Sequence, residues 1–357
     1  MPSASSNPAR SSIRRAIWLL GVLVFLPLSS CNDPEKEARL KWREEEASAK
    51  EVDLVKREQK LVSERQAIEA LQAQVVQREQ QAERLKIELA AEVEKTKRVR
   101  RELEIKQLRG PVPSVQAERV IVIDTESGDV MWEKNADKRG PIASTQKLLT
   151  ALLVVESGDL DKIVTIELSD TQCAPVRIGL KPGEQYTRRH LLTALLVKSS
   201  NDIAQALARD CAGSVAAFAD RMNERVAMLG LQNSFFINPH GLPSLENQQE
   251  QYSTARDLSQ IAKLVDTLPD VRAMVTQKSF KFMKAGKEPV VLENTNRVLR
   301  TNAYCDGMKT GYTQAAGYCL VASGEKNGKR RIVVVLNDTS ASVWKDAEAL
   351  LEWALKA

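Results

Sequence analysis

The stretch Glu118-Arg119-Val120-Ile121-Val122-Ile123-Asp124 is dense in β-branched residues and bounded by charges, the mark of a strand packed on a core. Ser127-Gly128 supplies a turn, and Val130 to Glu133 resumes the extended pattern, which predicts a hairpin. Two matching strands lie far downstream, at Tyr318 to Ala322 (YCLVA) and Arg331 to Asn337 (RIVVVLN). Between them run stretches with helical apolar spacing: Ser144 to Ser157, Arg189 to Leu196, Ile203 to Cys211, Ser214 to Leu229 and Ser253 to Val265. Val343 to Lys356 closes the chain as a helix. Strands from distant segments with helices between them predict an α+β fold. It would have one mainly antiparallel sheet flanked by helices, with a helical lobe inserted.

Upstream of this head the composition changes. From Glu35 to Arg109 there is neither Gly nor Pro, and residues 31–110 carry 19 basic and 18 acidic side chains. Mixed charge of that kind predicts a long solvated helix, about 110 Å if continuous. Apolar residues recur every seventh position at Leu54, Leu61, Ile68, Val75, Ala82 and Leu89. The companion seam, Arg57, Glu64, Leu71, Arg78, Leu85 and Glu92, is mostly charged, so the segment reads as a weak coiled coil, a stalk capable of self-association. Gly110, Pro111 and Pro113 end the helix.

The first thirty residues read as an export signal. Arg10, Arg14 and Arg15 precede the 13-residue apolar run Ala16 to Leu28, too short to span a bilayer. Those three arginines are the only charges in the segment and supply three of the chain's net five positive charges. The remainder is nearly neutral, which argues against a nucleic-acid surface. Two histidines, His190 and His240, exclude a multi-histidine metal centre, and no cysteine spacing resembles a zinc site. No cofactor is implied. Domain organisation follows: 1–30 signal, 31–110 helix, 111–357 head.

Three short motifs carry the chemistry. Ser144-Thr145-Gln146-Lys147 places a hydroxyl and an amine three apart on one helix face, where the amine can take the proton if burial lowers its pKa. Ser199-Ser200-Asn201 sits in a polar break between two helices, able to relay a proton and hold a peptide group, or simply to cap the following helix. Lys309-Thr310-Gly311 places a cation, a hydroxyl and a close-approach glycine on a sheet edge. Each alone is common. Together, in this order, they are the signature of penicillin-recognising serine enzymes.

The neighbouring sequence narrows the resemblance. Pro141-Ile142-Ala143-Ser144, Phe236-Ile237-Asn238-Pro239-His240-Gly241-Leu242, Ser253-Thr254-Ala255-Arg256-Asp257-Leu258 and Asp306-Gly307-Met308-Lys309-Thr310-Gly311-Tyr312-Thr313 resemble the D-alanyl-D-alanine carboxypeptidases among the low-molecular-weight penicillin-binding proteins. The resemblance covers residues 114 to 357 and implies a three-layer, β-lactamase/transpeptidase-like fold. It implies that Ser144 is the nucleophile, Lys147 its base and Ser199 a proton relay. Asn201, Lys309 and Thr310 would bind substrate, and the backbone N–H groups of Ser144 and Tyr312 would form the oxyanion hole. Peptidoglycan stem peptides would be substrates and β-lactams covalent inhibitors. A D,D-endopeptidase shares the same acyl-enzyme. A β-lactamase, or a head that only binds cell wall, are the rival readings.

Leu28-Ser29-Ser30-Cys31 resembles the lipobox of bacterial lipoproteins, which implies lipidation of Cys31 and membrane attachment outside the cytoplasm. One departure stands out: where many family members carry an arginine that binds the substrate carboxylate, Val343 stands, with Lys345 nearby. His240 is read as fixing its loop, and the other four cysteines as free thiols rather than a Cys173–Cys211 pair.

Overall fold

The computed structural model describes residues 34–173, 175–243, 250–284 and 286–356. Cys31 and the signal-like segment lie outside the described residues. Among the described residues no helix is long and apolar enough to cross a membrane.

The chain divides into two compact units, up to Ala91 and from Glu92 onward. The first described helix, α1, runs Pro34–Arg109 and belongs to both. In the first unit its apolar side chains, Leu54, Leu61 and Ile68 among them, face solvent. Intrahelical ion pairs such as Lys50–Glu46 and Arg65–Glu69 decorate it. The helix stops at Gly110, whose φ of +74° a side-chain-bearing residue adopts only with strain. In the second unit the end of α1 is fastened to the head: Arg98 pairs with Glu133, Arg101 with Asp129, and Arg109 donates to the carbonyl of Lys356.

A five-stranded antiparallel sheet forms the middle of the second unit. The strands are β1 (Arg119–Asp124), β2 (Val130–Lys134), β7 (Cys305–Thr313), β8 (Gly317–Lys326) and β9 (Lys329–Asp338), in the order β2-β1-β9-β8-β7. Both of its faces are covered. Ile121, Ile123, Ile332, Val334 and Leu336 point into a large core with the helices inserted between β2 and β7. Val120, Val122, Val333 and Val335 point into a second core under the C-terminal helix α10 (Val343–Leu355), against Leu350, Leu351 and Trp353. That is why Val120 to Ile123 are all buried, where simple alternation would leave one face wet. The result is the expected three layers.

The inserted lobe contains α2 (Lys147–Glu156), α4 (Arg188–Lys198), α5 (Asn201–Ala212), α6 (Val215–Met228) and α7 (Ala255–Asp266). It also contains the short helices α3 (Leu168–Thr171), α8 (Pro269–Val275) and α9 (Val298–Thr301). Two small two-stranded antiparallel sheets join them, β3 (Ile163–Thr165) with β4 (Gln185–Thr187) and β5 (Ser279–Phe282) with β6 (Val290–Glu293). Helix α2 is hydrophobic nearly all round, and Leu148 to Val154 are buried. It is therefore the central helix of the lobe, against α4, α5 and α7.

Candidate active site

The site forms where the first turn of α2, the α4–α5 junction and the edge strand β7 meet. Ser144 lies in a single 3-10 turn, Ala143–Gln146, immediately before α2, so the expected start of the helix at Ser144 is a tighter turn. Ala143, just before the serine, has φ +50°. Left-handed geometry on an alanine is costly and needs surrounding structure to hold it. The loop 238–242 does so: Gln146 donates to the carbonyl of Asn238 and Thr150 to that of Pro239. Gly241, with φ +90°, passes so near that a Cβ there would lie 2.1 Å from the Ala143 carbonyl oxygen.

Lys147, one turn on, is fully buried. Its Nζ lies 2.8 Å from Ser144 Oγ, 2.7 Å from Asn201 Oδ1, 2.9 Å from the Ser199 carbonyl oxygen and 3.3 Å from Ser199 Oγ. Burial first, and the positive charge of Lys309 second, hold its ammonium well below the ordinary lysine range. A neutral amine next to a serine hydroxyl can accept its proton.

Ser199 ends α4 in the left-handed region, φ +68°, and this turns the chain so that Asn201 can begin α5. Ser200 occupies the N-cap position without making a side-chain capping bond. The Asn201 amide is shared: Oδ1 faces Lys147, while Nδ2 donates to the carbonyl of Pro175. Asn201 N–H also donates to the Val176 carbonyl, and the Asp202 carboxylate accepts from the Gly179 and Leu180 N–H groups. The loop 175–180 is thus pinned beside the site by the start of α5. No motif in the sequence announces it.

On the opposite wall, Lys309 is buried in β7, its Nζ donating to the carbonyl of Thr310 at 2.9 Å. Burial pushes its pKa down to about 7. Thr310 Oγ1 lies 2.6 Å from Thr295 Oγ1, a partner that sequence spacing does not reveal. Gly311 is where strand meets nucleophile: a Cβ there would stand 2.8 Å from Ser144 N and 3.0 Å from Thr145 N. Tyr312 follows, exposed, its ring 4.4 Å from that of Tyr318.

Lys147 therefore touches Ser144, Ser199 and Asn201, with Lys309, Thr310 and Tyr312 on the adjoining strand. His240 is buried, held neutral by burial at a pKa of about 3, and its Nδ1 accepts from Leu242 N–H. That geometry fits the loop-fixing reading. Val343 is buried in the second core and offers no charge; the residue after it, Trp344, has the Arg297 guanidinium over its ring, 5.2 Å from the centroid. Cys173, Cys211, Cys305 and Cys319 stand as free thiols. Among the described residues no cluster of His, Cys, Asp or Glu is placed to hold a metal ion.

A serine, a buried lysine and a second hydroxyl at the edge of an antiparallel sheet are the arrangement of the penicillin-recognising class. Residues 106–340 match the D-alanyl-D-alanine carboxypeptidase family, and the chain belongs to it. It is 36% identical over 258 residues to the D-alanyl-D-alanine carboxypeptidase DacC of Escherichia coli K12, covering 68% of this chain and 62% of that protein. It is 32% identical over 225 residues to DacF of Bacillus subtilis 168, covering 62% of this chain and 57% of DacF. The chain thus spans about three fifths of these relatives' length. Among solved structures, the penicillin-binding protein D2 of Listeria monocytogenes in its ampicillin-bound form superposes with a TM-score of 0.61 at 31% identity. The match covers 69% of this chain and all of that one.

Proposed function

We propose that this chain is a serine D-alanyl-D-alanine carboxypeptidase that trims the terminal D-alanine from peptidoglycan stem peptides. The observation that carries the reading is the contact of buried Lys147 with Ser144 Oγ, Ser199 and Asn201.

The neutral amine of Lys147 takes the Ser144 proton as Oγ attacks the carbonyl carbon of the penultimate D-alanine. Backbone N–H groups of Ser144 and Tyr312 receive the developing oxyanion. The C–N bond then breaks, and the proton passes from Lys147 through the Ser199 hydroxyl to the leaving amine of D-alanine. Water attacks the resulting ester, releases the shortened peptide and restores Ser144. Asn201 holds the peptide backbone, while Lys309 and Thr310 meet the terminal carboxylate. β-Lactams acylate the same serine and stay. The test is release of D-alanine from a pentapeptide, measured beside Ser144→Ala. Release of a cross-linked fragment instead would assign a D,D-endopeptidase.

The remaining organisation belongs to the same proposal. Residues 1–30 direct export, Cys31 carries lipid on the outer side of a bacterial membrane, residues 31–110 form a self-associating stalk, and residues 111–357 are the catalytic head. Radiolabelled palmitate incorporation that disappears in Cys31→Ser tests the anchor.

A further inference from the structure

We infer that α1 pairs with a second copy of this chain, parallel and in register, through residues 68–89 alone, leaving residues 40–65 as separate solvated arms. The inference rests on the stalk reading above and goes further by locating the contact.

Between 68 and 89 both seams of the heptad are present. Ile68, Val75, Ala82 and Leu89 occupy one, and Leu71 and Leu85 the other, with Arg78 the single break. The five large members, Ile68, Leu71, Val75, Leu85 and Leu89, are 49% to 66% exposed on the lone helix. A strict seven-residue stripe on a straight helix drifts by about 20° per heptad, so its members share one face only when two helices coil together.

The flanking positions discriminate between the halves. In a parallel, in-register pair the residue before each first-seam position meets, on the other copy, the residue that follows the next second-seam position. Over 68–89 this brings Ala67 to Gln72, Gln74 to Glu79 and Gln81 to Lys86, with no like-charged meeting. Towards the N-terminus it brings Glu46 to Glu51, Asp53 to Glu58 and Lys60 to Arg65, three repulsions in succession against one attraction, Arg39 with Glu44. The second seam there is Arg43, Lys50, Arg57 and Glu64. Lys50 and Arg57 are already engaged within their own helix, by Glu46 at 2.8 Å and Asp53 at 3.0 Å. This half is thus built to stay single, and the middle is built to close.

Sedimentation velocity of the full chain in mild detergent tests this, with circular dichroism to verify folding. The wild type sediments as a dimer at tens of micromolar. Leu71→Glu combined with Leu85→Glu gives a folded monomer, while Leu54→Glu with Leu61→Glu remains dimeric. Arg78→Leu tightens the dimer by about tenfold or more, since it completes the seam. A monomeric wild type overturns self-association itself. Dimer loss in the Leu54/Leu61 variant leaves self-association standing and overturns the location. Weaker pairing in Arg78→Leu overturns the parallel register.

Discussion

Lys147 Nζ sits 2.8 Å from Ser144 Oγ inside a pocket that excludes water from the amine. The closeness comes from one helical turn, and the chemistry from burial, which favours the uncharged amine. Arginine cannot give up its proton in this setting. Lys147→Arg is therefore expected to slow acylation by penicillin by about 10³-fold or more. Stopped-flow acylation rates check it; a loss smaller than about tenfold would remove Lys147 as the base.

Gly311 has no room for a side chain. Its added Cβ would press on backbone nitrogens of Ser144 and Thr145, which have no flexible end to move. Gly311→Ala is expected to displace the donor groups around the oxyanion and cut acylation by about 10²-fold or more. The urea midpoint should change much less than in Gly241→Ala, where positive φ and a 2.1 Å clash act together. Parallel acylation and denaturation measurements on both variants separate the effects.

The pH profile should carry the mark of Lys309. Its ordinary pKa of 10.5 is lowered to about 7 by burial, so the free protein loses this cation as pH rises through 7. A substrate with a terminal carboxylate then meets less positive charge, and kcat/KM falls on the alkaline side. Lys309→Arg stays protonated and should lack that alkaline fall. A wild-type profile that stays level to about pH 9 would contradict the assignment.

His240 predicts acid lability. It is neutral in the fold to about pH 3, whereas an exposed histidine protonates near 6.5, so the unfolded chain binds the extra proton first. Its contribution is present above pH 6.5 and is lost as pH falls towards 3, on the order of 5 kcal/mol in all. Protonation would also remove the Nδ1 acceptor used by Leu242 N–H. Urea midpoints between about pH 7 and 4 should fall steeply for the wild type and more gently for His240→Asn. Equal slopes would refute this.

Much of this was legible in the residues. The spacings Ser144-to-Lys147 and Ser199-to-Asn201 name groups that do meet, because a helical turn and a helix start fix short distances. The strands at Glu118 and Arg331 were readable for a similar reason: a continuous β-branched run belongs in a sheet buried on both sides. Long-range closure was not readable. Thr295 reaches Thr310 from fifteen residues away, and the loop 175–180 is held by backbone groups that any sequence carries. The left-handed alanine at 143 is likewise imposed from outside, by the loop that brings Gly241 against it. Residue type gives no sign of it.

The most direct test of the account is fluorescent-penicillin labelling of the full chain beside Ser144→Ala, followed over time and paired with D-alanine release from a pentapeptide. The account predicts a label that depends on Ser144 and persists for many minutes, with D-alanine released by the wild type alone. Absence of label on folded protein would contradict it. Label lost within seconds as the antibiotic is destroyed would point to a β-lactamase instead.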